Sequence, residues 1–436
     1  MSSASVAIEK LAFGGSGVGR LDGKVCFVPY SCPGDLVEVR VKNEKRSYMN
    51  AEIARMISPS DTRVVPVCPL FGSCGGCNWQ HIDYAAQLAA KRQIFAETMW
   101  RGARVENDVI GEVVPSDMQY GYRSRVQFKL HGRNGRIQVG FFRQGTHFVE
   151  DAPEGCPVAM PVINAALKNL RDVLASFPEP DRIPQINIDC AEQGVVAIVN
   201  YIGADSRAAG DFFEGCRSLL PELTALYLQT GRKHTMVRVF GDNLLAYTLP
   251  SRSGDSCRLA FRPGGFSQVN LLQNRKLLEL VREMADFDGS EYLLDLYCGN
   301  GNFSLPLSGD VAAVTGVEGY EASIDAAREN AAYNAIKNAG FICDDAAAAV
   351  KRLLSEGGRF DVVLLDPPRT GAADVIDSLL QICPSKIIYI SCDPSTLARD
   401  CGALTKDGIY RVTSSIPVDM FPQTYHLESV TLLERC

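Results

Sequence analysis

The spacing of apolar and polar positions changes character along the chain, and each change marks a different kind of element. Between residues 5 and 57 it is short-ranged. Lys24-Val-Cys-Phe-Val-Pro and Asp35-Leu-Val-Glu-Val-Arg-Val-Lys read as strands, divided by Gly14-Gly-Ser-Gly and Pro33-Gly34 turns. The pattern predicts a small β-barrel of about five short strands, an architecture that often binds oligonucleotides, and Ser58-Pro-Ser-Asp reads as a linker. From Asp83 to Arg104, Tyr84, Leu88, Phe95 and Met99 recur near helical spacing behind an Asp suited to capping. From Val113 to about Phe261 the alternation is strand-like, as in Val195-Val-Ala-Ile-Val-Asn, with one helical stretch near Ala165 to Ala175.

The last third reads differently. A helix with Leu271, Leu278, Val281 and Ala285 on one face leads into an apolar strand ending at Asp295. Strands then alternate with helices, as in Ala313-Val-Thr-Gly-Val-Glu, Phe360-Asp-Val-Val-Leu-Leu-Asp and Lys386-Ile-Ile-Tyr-Ile-Ser. Near-continuous apolar strands separated by helices imply a mainly parallel α/β sheet covered on both faces, with ligands beyond the carboxyl ends of its strands. Three domains are expected: an OB-like barrel over 1–57, a central, mainly β region over 58–265, and an α/β domain over 266–436.

The length of 436 residues suits several cores, and 46% hydrophobic with 22% charged residues is a globular composition. The start lacks the pattern of a secretory signal and no apolar run approaches the ~20 residues of a membrane span, so a cytoplasmic protein without membrane contact is expected. Fifteen cysteines in such a chain point to reduced thiols, metal ligation and catalysis rather than disulfides. The net charge of −7 argues weakly against nucleic acid as a partner, but local charge can overrule the total. Between Met118 and Val149 stand Arg123, Arg125, Lys129, Arg133, Arg136 and Arg143 with no acidic residue, interleaved with Tyr120, Tyr122, Phe128, Phe141, Phe142 and Phe148. This stretch reads equally as a stacking face for unpaired bases and as a solvated sheet face whose aromatics enter a core.

Chemistry concentrates at the ends of the late strands. Asp295-Leu-Tyr-Cys-Gly-Asn-Gly-Asn-Phe puts a glycine turn directly after a strand, where a ligand can approach the backbone. Glu318 ends the next strand, placed for ribose hydroxyls, and Asp344-Asp345 follows the third, within reach of an adenine amine. The third glycine of a dinucleotide fingerprint is missing, so these describe a nucleoside site similar to the first motif of S-adenosylmethionine methyltransferases. Asp366-Pro-Pro-Arg-Thr-Gly makes a rigid lip, and Arg369 stands where enzymes methylating exocyclic amines place a stacking aromatic. Cys392, in Ser391-Cys-Asp-Pro, opens onto the same crevice. Carbon 5 of uracil becomes a nucleophile only after a thiolate adds to carbon 6, and a base must later remove its proton. Glu428, in His426-Leu-Glu-Ser-Val, is the candidate base. Separately, Cys68-x5-Cys74-Gly-Gly-Cys77 and the distant Cys156 offer four thiolates, which suit tetrahedral zinc or an iron–sulfur cluster.

Together with Phe266-Ser-Gln-Val-Asn, these motifs resemble the RNA uracil-5 methyltransferase family along the whole chain. The resemblance implies a Rossmann-like methyltransferase domain, with Cys392 as nucleophile and Glu428 as base. Gln268, Tyr297, Asn302, Glu318 and Asp366 would line the pocket for S-adenosylmethionine and the target base, with Asp345 or else Asp344 toward the adenine. It implies a 4Fe-4S cluster on Cys68, Cys74, Cys77 and Cys156, and an N-terminal barrel resembling the RNA-holding TRAM domain. Barrel plus cluster resembles the bacterial enzymes acting on 23S ribosomal RNA, with a transfer-RNA uridine as the alternative substrate and a monomer as the expected state. Two rivals are an iron–sulfur RNA-binding protein with a degenerate methyltransferase fold, and an RNA cytosine methyltransferase with its nucleophile in another motif.

Overall fold

The computed structural model describes residues 4–133, 136–231, 235–242, 245–252 and 254–436. Alternate residues of the first strands, among them Val6, Ile8, Val28, Val37 and Val39, point into one small core. Their strands β1 (Ala4–Leu11), β2 (Gly17–Leu21), β3 (Lys24–Val28), β4 (Leu36–Glu44) and β5 (Tyr48–Ser58) close into a barrel in the order β1-β2-β3-β5-β4. Closure removes the free edges that would otherwise template pairing with another chain. Gly19 permits it locally, because a Cβ there would lie 2.3 Å from the Ala7 carbonyl oxygen.

Asp83 accepts the Ala86 amide at 2.9 Å and starts α1 (Tyr84–Ala103), which ends at Arg104 in the left-handed region. Its Phe95 and Met99 pack with residues of the last third of the chain, Leu397 and Ala398 among them. The central sheet follows: β6 (Arg125–Arg133), β7 (Arg136–Phe142), β8 (Val149–Asp151), α2 (Pro161–Ala175), β9 (Gln185–Cys190), β10 (Val195–Asn200), α3 (Ser206–Gly215), β11 (Ala225–Gln229) and β12 (Met236–Gly241). Its order is β12-β11-β10-β9-β6-β7-β8. The alternation predicted one helix here, and α3 is a second. It carries the crossover that the parallel pair β10 and β11 requires, burying Ala209 and Phe213.

The aromatics of the basic stretch divide. Tyr122 and Phe128 are buried and Phe141 packs on the same side, whereas Phe142 and Phe148 are exposed. Four of the cations are engaged: Arg123 with the Arg125 carbonyl, Arg125 with Asp189, Arg143 with Glu150, and Lys129 with the Gln185 side chain. The side chains of Arg133 and Arg136 lie outside the described residues. The core reading therefore holds for part of the stretch, while the two aromatics at its end stand exposed.

A hairpin, β13 (Leu245–Pro250) and β14 (Ser256–Phe261), leads to α4 (Leu271–Ala285). The remaining elements are β15 (Tyr292–Leu296), α5 (Ser304–Leu307), β16 (Ala313–Glu318), α6 (Glu321–Tyr333), β17 (Ala339–Cys343), α7 (Ala346–Ser355), β18 (Val362–Leu365), α8 (Ile376–Ile382), β19 (Lys386–Ser391), α9 (Pro394–Thr405), β20 (Tyr410–Val418) and β21 (Glu428–Arg435). The sheet runs β17-β16-β15-β18-β19-β21-β20, with β15 to β19 parallel and β21 antiparallel to both neighbours. Successive residues alternate between two cores: Leu293, Leu364 and Ile388 on the side of α4 and the hairpin, Leu294, Leu365 and Tyr389 on the side of α1 and α9. Burial on both faces is why these strands read as unbroken apolar runs. The strand order reverses between β15 and β18, so a crevice opens beyond their carboxyl ends. Among the described residues no helix is long and apolar enough to cross a membrane.

Candidate active site

Read across the sheet edge, the strands present Asp344 and Asp345 after β17, Glu318 at the end of β16, Tyr297 after β15, Asp366 after β18 and Cys392 after β19. The reversed strand β21 contributes its first residue, Glu428, to the same edge. All the predicted strand-end residues thus share one side of the domain.

The turn after β15 needs its glycines. Tyr297, Gly299 and Gly301 all take positive φ (66°, 56° and 87°), the left-handed backbone that only glycine adopts at little cost. Below the turn Asp295 is fully buried and accepts a hydrogen bond from the Ser304 hydroxyl, while its Oδ1 has no hydrogen-bond partner. Burial pushes its carboxyl up to about 7. Glu318 accepts the Tyr320 amide at 2.8 Å, and Tyr297 donates to Asp374 at 3.3 Å.

Three predicted residues carry structural duties that the sequence did not announce. Asp345 caps α7 through the Ala348 amide at 3.1 Å, and Asp344 pairs with Arg352 at 2.8 Å. Asn302 exchanges two hydrogen bonds with Asn274 (2.8 and 3.0 Å) and accepts the Tyr247 hydroxyl at 2.9 Å. This buried group ties the glycine turn to α4 and to the hairpin, and sequence reasoning missed Asn274 and Tyr247. The signal available was a polar residue, Asn274, on the helix face otherwise formed by Leu278 and Val281. Gln268 is buried in the segment leading to α4, where Ser124 donates twice to the neighbouring Val269 carbonyl, at 2.8 and 3.0 Å.

Strand pairing decides how thiol and carboxylate meet. Ser391 pairs with Ser429 across β19 and β21, so the next rung sets Cys392 opposite Glu428. Cys392 is half-buried and Glu428 buried. Burial, then the Glu428 charge, pushes the thiol up to about 12, against the pull of the Arg369 guanidinium. Burial also holds the Glu428 carboxyl well above the usual carboxylate range, with Asp366 adding to the shift and Arg369 opposing it. Asp366 itself is pushed up to about 7, by burial and then by Asp295. Asp393 follows Cys392 and caps α9, accepting the Ser395 and Thr396 amides at 2.8 and 3.2 Å, so the thiol also stands at a helix N-terminus. Cys392, Glu428, Asp366 and the Arg369 guanidinium thus act on one another beyond the strand ends, an arrangement that suits covalent catalysis.

The second cysteine site lies in the central region. Cys68, Cys74, Cys77 and Cys156 line one cavity of about 390 Å³, together with Phe71 and Arg123. Burial, with the neighbouring thiols contributing, pushes Cys74 up to about 11 and Cys77 to about 12. Among the described residues no three of His, Cys, Asp or Glu converge closely enough to hold a single metal ion.

Comparison with known proteins adds family information. The family model described as tRNA (Uracil-5-)-methyltransferase matches residues 83–436, and the TRAM domain model matches residues 4–54. A 23S rRNA (uracil(1939)-C(5))-methyltransferase from Alkalilimnicola ehrlichii is 34% identical over 433 residues, covering 99% of this chain and 96% of that one. Its counterpart from Aromatoleum aromaticum is 35% identical over 439 residues, covering 98% of this chain and 99% of that one. Among solved structures, the Pyrococcus abyssi tRNA (uracil-54, C5)-methyltransferase in complex with S-adenosyl-L-homocysteine aligns with a TM-score of 0.74 at 25% identity, covering 99% of this chain and 100% of that one.

Proposed function

From the premise that the chain belongs to the tRNA (uracil-5-)-methyltransferase family, S-adenosylmethionine-dependent enzymes acting on RNA, we propose that it methylates carbon 5 of a uridine in 23S ribosomal RNA through a covalent Cys392 adduct. The observation that carries this reading is the shared rung of Cys392 and Glu428 at the strand ends, beside the glycine turn. S-adenosylmethionine, when bound, supplies an electrophilic methyl group. Cys392 adds its sulfur to carbon 6 of the ring, and the electrons of the 5,6 double bond pass to the carbonyl at carbon 4 as an enolate. Arg369 favours the thiolate, and the N-terminus of α9 adds to that preference. The enolate's electron pair is taken up in the new bond from carbon 5 to the methyl group. Glu428 then accepts the carbon 5 proton, and the pair of the broken carbon–hydrogen bond restores the 5,6 double bond and expels the thiolate. A carboxylate raised by burial is a stronger base than a solvated one, which suits a carbon acid.

In this reading Glu318 and one of Asp344 and Asp345 hold the nucleoside of the methyl donor, while Gln268, Tyr297, Asn302 and Asp366 shape the walls around donor and base. Residues 1–57 and 58–265 hold the RNA, and 266–436 carry out the chemistry. The target uridine must leave its stack for both faces of the reaction to reach it. Cys68, Cys74, Cys77 and Cys156 would hold a 4Fe-4S cluster. The support for this reading is that the four thiols line one cavity, a donor set that suits an iron–sulfur cluster. No electron transfer is needed, so the cluster's part is structural.

The ribosomal substrate rests on the relatives at 34–35% identity, and a transfer-RNA uridine is the second reading, supported by the structural neighbour. Mass-spectrometric mapping of 5-methyluridine in RNA from cells with and without the gene separates the two. The chemistry is tested by Glu428→Gln, which should accumulate a protein–RNA adduct stable on denaturing gels, and by Cys392→Ala, which should form none. Normal turnover by Cys392→Ala would overturn the mechanism.

A further inference from the structure

The segment from Asp419 to Leu427 joins β20 to β21 and delivers Glu428. Five of its consecutive carbonyl groups are taken by donors from other parts of the chain. Gln273 donates to the carbonyl of Asp419 at 3.0 Å, Asn270 to Met420 at 3.2 Å and Lys91 to Phe421 at 3.1 Å. The Tyr122 hydroxyl donates to Pro422 at 3.0 Å, and the amides of Asn78 and Trp79 both donate to Gln423 at 3.1 Å. A connection between hairpin-paired strands ordinarily leaves most of these groups to water. Here α4, α1, the central region and the cysteine segment each grip it.

Two side chains on α1 go further. Lys91 and Gln87 are four residues apart and so face the same way. Lys91 is fully buried and pairs with the equally buried Asp419 at 2.5 Å. Gln87 donates to the Gln423 side chain at 3.0 Å and accepts the Gln423 amide at 3.1 Å. Gln423 is held there in the left-handed region, φ 71°, where a side chain is uncommon. A buried ion pair costs desolvation and seldom repays it in stability, and a strained backbone persists only where its surroundings fix it. Both features occur in the few residues before Glu428, in a segment whose own side chains make none of the proposed chemistry.

We propose that Lys91 and Gln87 are positioning residues that hold the 419–427 strap in a single path, so that Glu428 meets the carbon 5 proton. The proposal rests on Glu428 being the proton acceptor. A displaced carboxylate would slow the breakdown of the adduct and leave its formation by Cys392 intact, since Cys392 is held by β19 and α9. A role confined to folding would not separate the two steps.

The experiment compares Lys91→Met/Asp419→Asn and Gln87→Leu with wild type and Glu428→Gln, using RNA substrate and S-adenosylmethionine. The double variant removes both charges together, and the single variant removes hydrogen bonds without leaving a buried charge, which keeps the test alive if the former folds poorly. Misplacement on the ångström scale is expected to lower kcat about 30-fold in the double variant and about fivefold in Gln87→Leu. KM for RNA should stay within about twofold. In both, methylated protein–RNA adduct should build up on denaturing gels as it does for Glu428→Gln. Unchanged turnover in both, or lower turnover without adduct, would overturn the proposal while leaving the base assignment standing. No adduct from Glu428→Gln itself would overturn the base assignment and the proposal with it.

Discussion

The two cysteine sites share a residue type and a degree of burial, and differ in what faces them. Burial first, and neighbouring thiols of the same group after it, oppose ionisation of Cys74, Cys77 and Cys156. Cys392 faces carboxyls, but also a guanidinium and the start of a helix. The first arrangement would be relieved by a multiply charged cation among the sulfurs. The second is relieved by a reaction partner that takes up the sulfur's electrons. In the proposed reading, neighbours more than accessibility separate a ligand thiol from a nucleophilic one.

The largest contrast should appear in turnover. Cys392→Ala is expected to lower single-turnover methyl transfer by about 10⁴-fold or more, with the melting temperature nearly unchanged. Residual turnover within tenfold of wild type would erase the distinction. Cys77→Ser should do the reverse, costing bound iron and lowering the melting midpoint by about 5–10 °C, measured by iron analysis and calorimetry. An iron-free wild type with an unmoved midpoint in the variant would take the four thiols out of metal binding.

Stability against pH sharpens the comparison further, because buried lone carboxyls belong to the crevice. Asp366 and Asp295 are raised from 3.8 to about 7. Between those values they hold protons in the folded chain and lose them in the unfolded one, so stability should fall as pH rises from about 4 to about 7. Asp366→Asn should flatten this slope in a series of thermal melts, and an unchanged slope would assign it elsewhere. The smallest effect is expected at the rim of the four-thiol site. Phe148 is exposed, and its loop pairs with the cysteine segment through the Gly75 amide and the Phe142 carbonyl at 3.1 Å. Phe148→Ala should raise KM for RNA about fivefold with kcat unchanged, in keeping with a lost stacking contact. A fall in kcat instead would mean that this side takes part in the chemistry.

What the sequence disclosed was local. Asp83 and Arg104 bound α1 because capping is written in adjacent residues. The strand-end motifs are legible because unbroken apolar runs stop at Asp295, Glu318, Asp366 and Cys392. The helix α3 stayed hidden because only Ala209 and Phe213 of its residues are buried, too few to impose a period. Nothing local reveals that β21 runs backwards, or that Lys91 meets Asp419 from 328 positions away. The duties of Asp345 and Asn302 were equally out of reach, since each is set by partners that folding brings in.

Cys392 and Glu428 occupy one rung of a ladder whose rails run in opposite directions. Sliding either rail by a single position would carry its group to the far side of the sheet and leave the other behind. The pair is thus vulnerable to changes in length as much as in identity. In the proposed mechanism, one inserted residue early in the final strand, touching neither sulfur nor carboxylate, would disarm the enzyme as surely as deleting either.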